Sequence, residues 1–283
     1  MIRCLNTNMI GVEATPIEAV RYASDYGFGA VDLSIPAVAG ADNDAKAAER
    51  LAAEMREADL VAGAGLNLLP GKVSVEDAEW QDGMKGLDDR LRIAEKLGVT
   101  RTMIVMLPFH DTMEYNACLD LHVRRLGEAA SKLEGAGVRI GIEYVSQLTR
   151  RAGHAHEFIF DLDGTLELID RIGAPNLGVV LDSFHWHCAG ETAKQVTGIP
   201  GERAVICHAS DAVAGRPVEE QVAFERELPG ATGEIDLPGF LDALRSIGFD
   251  GPVTAEPMNQ ALREMPDDKA IRAVASAMDS MGV

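Results

Sequence analysis

Gly178-Val-Val-Leu-Asp-Ser-Phe-His-Trp-His187 is an apolar run that delivers Asp182 and His185, three residues apart, into a polar segment. Val179 to Leu181 suit a strand buried on both faces, as in a parallel sheet covered by helices. Asp182 then stands at the carboxyl end of that strand, the rim on which chemistry collects in barrels of alternating strands and helices. The same residues also fit a loop Asp that caps a following helix, with His185 merely packed beside it. The choice depends on the neighbouring strands.

Outward from this stretch the same alternation recurs. On its amino side, Ile2 to Leu5 reads as a short strand, followed by Thr15-Pro16 as the start of a helix over Ile17 to Tyr26 that Gly27 stops. Ala30 to Leu33, Leu60 to Leu66, Thr102 to Met106 and Arg139 to Tyr144 read as further strands. Between them lie helical segments at Asp44 to Ala58, Val75 to Leu97 and Tyr115 to Glu134, with Leu166 to Ile172 after the fifth strand. On the carboxyl side a short helical signal near Glu191 to Val196 precedes a strand at Ala204 to Ala209. A helix at Leu237 to Ile247, a strand at Pro252 to Ala255 and a helix at Asp267 to Met281 complete the chain. Eight such alternations over residues 1–283, with no linker or shift of composition, predict a single-domain α/β fold, a (β/α)8 TIM barrel. A doubly wound sheet would often carry a glycine-rich phosphate fingerprint after its first strand, and none is present. Long segments remain after the fifth strand (Val145 to Thr165) and the seventh (Asp211 to Asp236), a length typical of lids and binding loops.

Aligned in this way, the last four strands each end in a residue able to bind a metal: Glu143, Asp182, His208 and Glu256. A single acidic residue after a strand is usually solvated or capping, but four consecutive strands aiming three carboxylates and an imidazole at one point is a pattern. Buried like charges repel, so such a cluster needs a cation to hold it together. Three oxygens and one nitrogen suit one divalent ion, Mn²⁺, Mg²⁺ or Co²⁺, with Zn²⁺ also compatible. Chelation of a carbonyl and its neighbouring hydroxyl would acidify the α C–H bond, and Glu143 and Glu256 could remove and return the proton through an enediolate. The face or carbon that receives the proton separates epimerisation from isomerisation; loss of a β-hydroxyl would be dehydration.

The order Glu143, Asp182-Ser-Phe-His185, His208, Arg226-Glu-Leu-Pro-Gly230 and Glu256-Pro257 resembles the xylose isomerase-like TIM barrels, which include D-tagatose 3-epimerase, hydroxypyruvate isomerase and inosose dehydratase relatives. The resemblance covers nearly the whole chain and is most specific from Arg226 to Pro257. It implies that Glu143, Asp182, His208 and Glu256 are the metal ligands, that His185 and Arg226 contact substrate, and that the two glutamates double as acid and base. The expected activity is that of a sugar isomerase or epimerase acting on a small ketose or aldose. A dehydratase of the inosose or dehydroshikimate type is the alternative. The loop Pro229-Gly-Ala-Thr-Gly233 is one residue longer than the corresponding ketose-epimerase loop, and Arg216, in the acidic segment before it, is a second candidate for the role of Arg226.

Composition narrows the partners. The 26 basic against 45 acidic residues give a formal charge of −19 with no basic cluster, so nucleic acid is not expected. Endonuclease IV shares several ligand positions, but its additional histidines are missing: the corresponding segment here is Gly233-Glu-Ile-Asp236, and the third strand ends near Asn67. A non-catalytic sugar-binding barrel would be expected to lose a ligand, and all four are present. No run approaches about 18 apolar residues, so no membrane span is expected, and the four unpaired cysteines suit a reducing, cytoplasmic setting. Arg150, Arg151, His154 and His156 could grip an anion or simply form a polar surface loop. His110 and His187 could extend the site. Trp80 and Phe109 could wall the pocket but read better as core or interface residues, and this kind of barrel often pairs, so apolar residues around Trp80 could contribute to a homo-oligomer.

Overall fold

A computed structural model describes residues 1–40 and 45–283 of the chain. Eight parallel strands form one sheet: β1 (Ile2–Leu5), β2 (Ala30–Ser34), β3 (Val61–Leu66), β4 (Arg101–Met106), β5 (Arg139–Tyr144), β6 (Leu177–Asp182), β7 (Ala204–Ala209) and β8 (Pro252–Ala255). The sheet curls round so that β1 pairs with both β2 and β8, and its two ends, β3 and β4, face each other across a seam. There the Thr102 hydroxyl donates to the Gly65 carbonyl at 2.7 Å, replacing part of the missing ladder. The result is a nearly closed (β/α)8 barrel. β6 and β7 are buried along their whole length, as expected of strands with apolar residues on both faces. Among the described residues no helix is long and apolar enough to cross a membrane.

Local sequence explains most elements. Thr15 and Glu18 form a reciprocal capping box with Pro16 in the first turn, starting the helix Pro16–Asp25. Asp161 caps the helix Leu162–Ile172 through Gly164 N at 2.9 Å, so this helix begins a turn earlier than its apolar spacing suggests. The segment Val75 to Leu97 is two helices, Asp77–Met84 and Leu87–Lys96, rather than one. Gly86 between them adopts φ 68°, a left-handed conformation that glycine accepts readily. The Arg90 guanidinium then donates to the carbonyls of Gly83 (2.5 Å) and Lys85 (2.8 Å), satisfying acceptors that the break exposes, and to that of Leu68 (3.2 Å) in the segment after β3. The second expected helix is observed over Ala45–Glu57; its proposed first residue, Asp44, lies outside the described residues.

The long segments are more ordered than their polarity implies. After β5, a short helix Leu148–Arg151 leads to His156–Glu157, which pair antiparallel with Phe109–His110 from the end of β4. After β7, the Asp211 carboxylate accepts from the backbone N–H groups of Ala212 (2.9 Å), Thr232 (3.0 Å), Gly233 (2.8 Å) and Ile235 (3.0 Å). That carboxylate therefore closes the base of the Asp211–Asp236 loop and holds Thr232 and Gly233 against it. Trp80 is 0% exposed and lies beneath the Arg125 guanidinium, so it belongs to the core and is not available to an interface.

Candidate metal centre and active site

The four strand-end residues converge. Glu143, Asp182, His208 and Glu256 are all buried and can each present one ligand atom within 4.8 Å of the others. Adjacent strand registers produce this: Asp182 is the partner of His208 between β6 and β7, and His208 is the partner of Thr254 between β7 and β8. The Glu256 N–H continues the ladder to the Ala209 carbonyl at 2.9 Å, which sets the side chain one step above β8.

Asp182 satisfies both readings of its sequence. Its Oδ1 accepts from the backbone N–H groups of Phe184 (2.7 Å) and His185 (3.0 Å), capping a helix over Ser183–Cys188. Its Oδ2 accepts from Arg226 Nη1 at 2.9 Å and faces the cluster. The cap thereby fixes the carboxylate's orientation, and the helix it starts places His185 over the same site.

Arg226 is the cation of the cluster. Nη1 also donates to Glu256 Oε2 at 2.8 Å, Nη2 lies 3.4 Å from His185 Nε2, and the guanidinium sits 4.5 Å from the Phe184 ring centre. Its backbone is held between strands: Asp211 and Glu227 exchange backbone hydrogen bonds, and Asn259, just past β8, donates to the Arg226 carbonyl at 3.0 Å. Arg216 instead pairs with Glu225 at 2.7 Å, outside the cluster.

Charge provides the test of whether these residues suit a metal. Three carboxylates against one guanidinium leave two uncompensated negative charges when His208 is neutral, the charge of one divalent ion. Burial works against a charged His208, but Glu256 and the contact to Glu143 Oε1 at 2.9 Å push its pKa well above the usual imidazole value. Burial likewise raises the Glu256 carboxyl to about 7 against the opposing pull of Arg226 and His208. Burial would also raise Asp182, but Arg226 and His185 hold it below the usual carboxylate range. The donor set, its burial and its charge all fit a hard or borderline divalent cation.

The matching family model, described as "Xylose isomerase-like TIM barrel", covers residues 20–281. The chain belongs to the xylose isomerase-like TIM barrel family. Among its curated relatives, the inosose isomerase of Bacillus subtilis is 27% identical over 182 residues, 64% of this chain and 62% of that protein. The 3-dehydroshikimate dehydratase of Pseudomonas putida is 27% identical over 187 residues, 66% of this chain and 28% of that protein. The chain thus matches less than two thirds of the length of either relative. A xylose isomerase domain protein from Alicyclobacillus acidocaldarius superposes with a TM-score of 0.85 at 26% identity, covering 99% of this chain and 98% of the other. A zinc-bound IolI protein superposes with a TM-score of 0.82 at 20% identity, covering 99% and 98%, which bears on the fold.

Other polar residues of this xylose isomerase-like barrel have separate tasks. His110 Nδ1 accepts from the backbone N–H groups of Thr112 (3.2 Å) and Met113 (3.1 Å), closing a turn. His154 stacks on Phe109 and contacts Asp111. Arg150 lies over Phe109, while Arg151 pairs with Glu157 at 2.5 Å; His156 belongs to the same small sheet. His187 is half-buried, and burial lowers its pKa. None of these joins the four-residue cluster, and the loop after β5 uses both arginines as braces. Phe109 is buried in that brace.

Three features were missed in the sequence. Asp32, on β2, is a buried carboxylate inside the barrel that accepts from Ala64 N (2.7 Å), Asn6 Nδ2 (3.1 Å), Cys4 Sγ (3.2 Å) and the Thr254 hydroxyl (3.3 Å). An acidic residue within the apolar run Ala30–Ser34 was the available signal. Glu191, buried after β6, accepts from Tyr144 OH and from Leu162 N, each at 2.7 Å. The third is a cleft of about 330 Å³ at the ends of β1, β3 and β4, lined by Asn6, Asn8, Asn67, Met9, Met103 and Met258 among others. None of its lining residues is charged, and two of them, Asn67 (φ 60°) and Met258 (φ 44°), hold left-handed backbones.

Proposed function

We propose that this chain is a divalent-metal-dependent isomerase or epimerase acting on a small polyhydroxylated ketone or aldehyde. The observation that carries the proposal is the buried cluster in which Glu143 and Glu256 flank Asp182 and His208, with Arg226 seated against two of its carboxylates. In this reading Glu143, Asp182, His208 and Glu256 hold one ion, Mn²⁺, Mg²⁺ or Co²⁺, with Zn²⁺ also fitting the donor set. The ion, when bound, supplies Lewis acidity to the carbonyl and adjacent hydroxyl oxygens of the substrate. One glutamate removes the α-proton and the other delivers a proton to the opposite face or to the neighbouring carbon, with charge passing onto the substrate oxygen as an enediolate. Arg226 and His185 orient the substrate oxygens and stabilise developing negative charge.

A dehydratase reading is the second, favoured by the similarity to 3-dehydroshikimate dehydratase. The same glutamates would then remove the α-proton and assist loss of a β-hydroxyl. The deciding experiment is ¹H NMR in D₂O with metal-loaded protein, a panel of ketoses, aldoses, inososes and keto acids, and an EDTA-stripped control. Metal-dependent deuterium uptake beside a carbonyl with isomer interconversion supports the isomerase. A new vinylic signal moves the assignment to the dehydratase, and no exchange with any compound overturns both.

A further inference from the structure

Gln147 follows Glu143 by four residues, in the loop after β5, and is 1% exposed. Neither its Oε1 nor its Nε2 has a hydrogen-bond partner among the described residues. Gln221, on the facing loop after β7, provides the contrast. It too is buried, but its Oε1 accepts from Val213 N, and its Nε2 donates to the carbonyls of Val213 (3.2 Å) and Arg216 (3.0 Å). A structural glutamine in this environment uses both ends of its amide on backbone, as Gln221 does. Gln147 uses neither.

The chain on either side of Gln147 is tightly tethered. Ser146 N lies 3.4 Å from His185 Nδ1, the Ser146 hydroxyl donates to the Phe160 carbonyl at 2.6 Å, and the Ser146 carbonyl accepts from Arg151 Nε at 3.0 Å. On the other side the Thr149 hydroxyl donates to the Gln221 carbonyl at 2.7 Å. The unused amide is therefore carried on a braced segment one residue from the group that touches the His185 ring, and that ring faces Arg226. An amide offers donors and acceptors together, which suits a hydroxyl, a group that also does both; it gives no preference to a full charge.

We infer that Gln147 is a substrate-binding residue that reads one hydroxyl of a neutral polyhydroxylated substrate held at the cluster. The inference rests on the function proposed above and adds a specificity determinant to it. Metal-loaded wild type, Gln147→Ala and Gln147→Glu are compared on an inosose and on a set of its monodeoxy analogues, each lacking one hydroxyl, by deuterium uptake and by thermal melting. Gln147→Ala is expected to lower kcat/KM for the parent ketone roughly 10- to 100-fold. For one monodeoxy analogue, wild type and variant turn over equally. Gln147→Glu loses the parent activity too, and Gln147→Ala melts no lower than wild type because it removes a buried amide without partners. Equal losses on every analogue, or a melting temperature that falls with activity, would assign Gln147 to packing and overturn the inference alone. Wild type that labels neither these ketones nor any other compound of the panel above would overturn the proposed function, and the inference with it.

Discussion

The two halves of the barrel rim are built from different chemistry. β5 to β8 end in Glu143, Asp182, His208 and Glu256, charged groups drawn within ligand distance and matched by one arginine. β1 and β3 lead into Asn6, Asn8 and Asn67, and with the methionines around them they form an uncharged cleft. A buried acidic group inside that first half, Asp32, is surrounded by four donors and turned to internal support. Charge that is matched by a cation can do chemistry, whereas charge enclosed by hydrogen-bond donors becomes part of the scaffold. On the function proposed above, the charged half carries the reaction together with Arg226, His185 and Gln147, while the uncharged cleft has no part in it.

The sharpest way to break that division is Glu256→Gln or Glu143→Gln. Either change should lower turnover at least about 10³-fold while the circular dichroism spectrum is retained, because the proton carrier is lost and the shape is not. A fully active variant would remove the reactive half from the picture. Asp32→Ala is expected to act on stability instead. It strands buried donors on Asn6, Thr254 and Ala64, and urea unfolding should show a loss of about 3 kcal/mol. Unchanged stability with abolished turnover would place Asp32 among the reacting groups and erase the distinction.

Glu191 tests the scaffold of the reactive half. Burial raises its pKa from 4.5 to about 7, so between those values the folded protein binds a proton that the unfolded chain releases. The resulting stabilisation is fully present below pH 4.5 and lost as pH rises through about 7, a change on the order of 3 kcal/mol. Glu191→Gln should flatten this part of the stability profile, measured by urea unfolding between pH 5 and 8. A variant with the wild-type slope would mean that another group titrates. The smallest effect is expected in the uncharged cleft: Asn8→Ala should leave kcat and KM within about 2-fold of wild type, whereas a rise in KM of roughly 5- to 10-fold with kcat unchanged would show that substrate reaches the cleft. A fall in kcat instead would bring the cleft into the reaction itself.

Legibility followed the same physics. Strands buried on both faces write uninterrupted apolar runs, so their ends, and the four potential ligands standing there, could be read directly. The helix from Val75 to Leu97 was read as continuous because apolar spacing persists across Gly86, whereas the break depends on a left-handed backbone and on Arg90 reaching back to the freed carbonyls. Asp32 was missed because a lone acid in a strand is ambiguous until its donors, brought from β1, β3 and β8, surround it.

By itself, the order of residues determined the alternation of strands and helices, the barrel, and which side chains stand at the rim, since hydrophobic periodicity and strand length are local properties. Only the tertiary structure decided that Asp182 both caps a helix and faces the cluster, that Arg226 rather than Arg216 supplies the cation, and that Gln147 is buried without a partner while Gln221 is fully bonded. Those outcomes depend on hydrogen-bond distances between segments far apart in the chain, and such distances exist only after the barrel has brought the segments together.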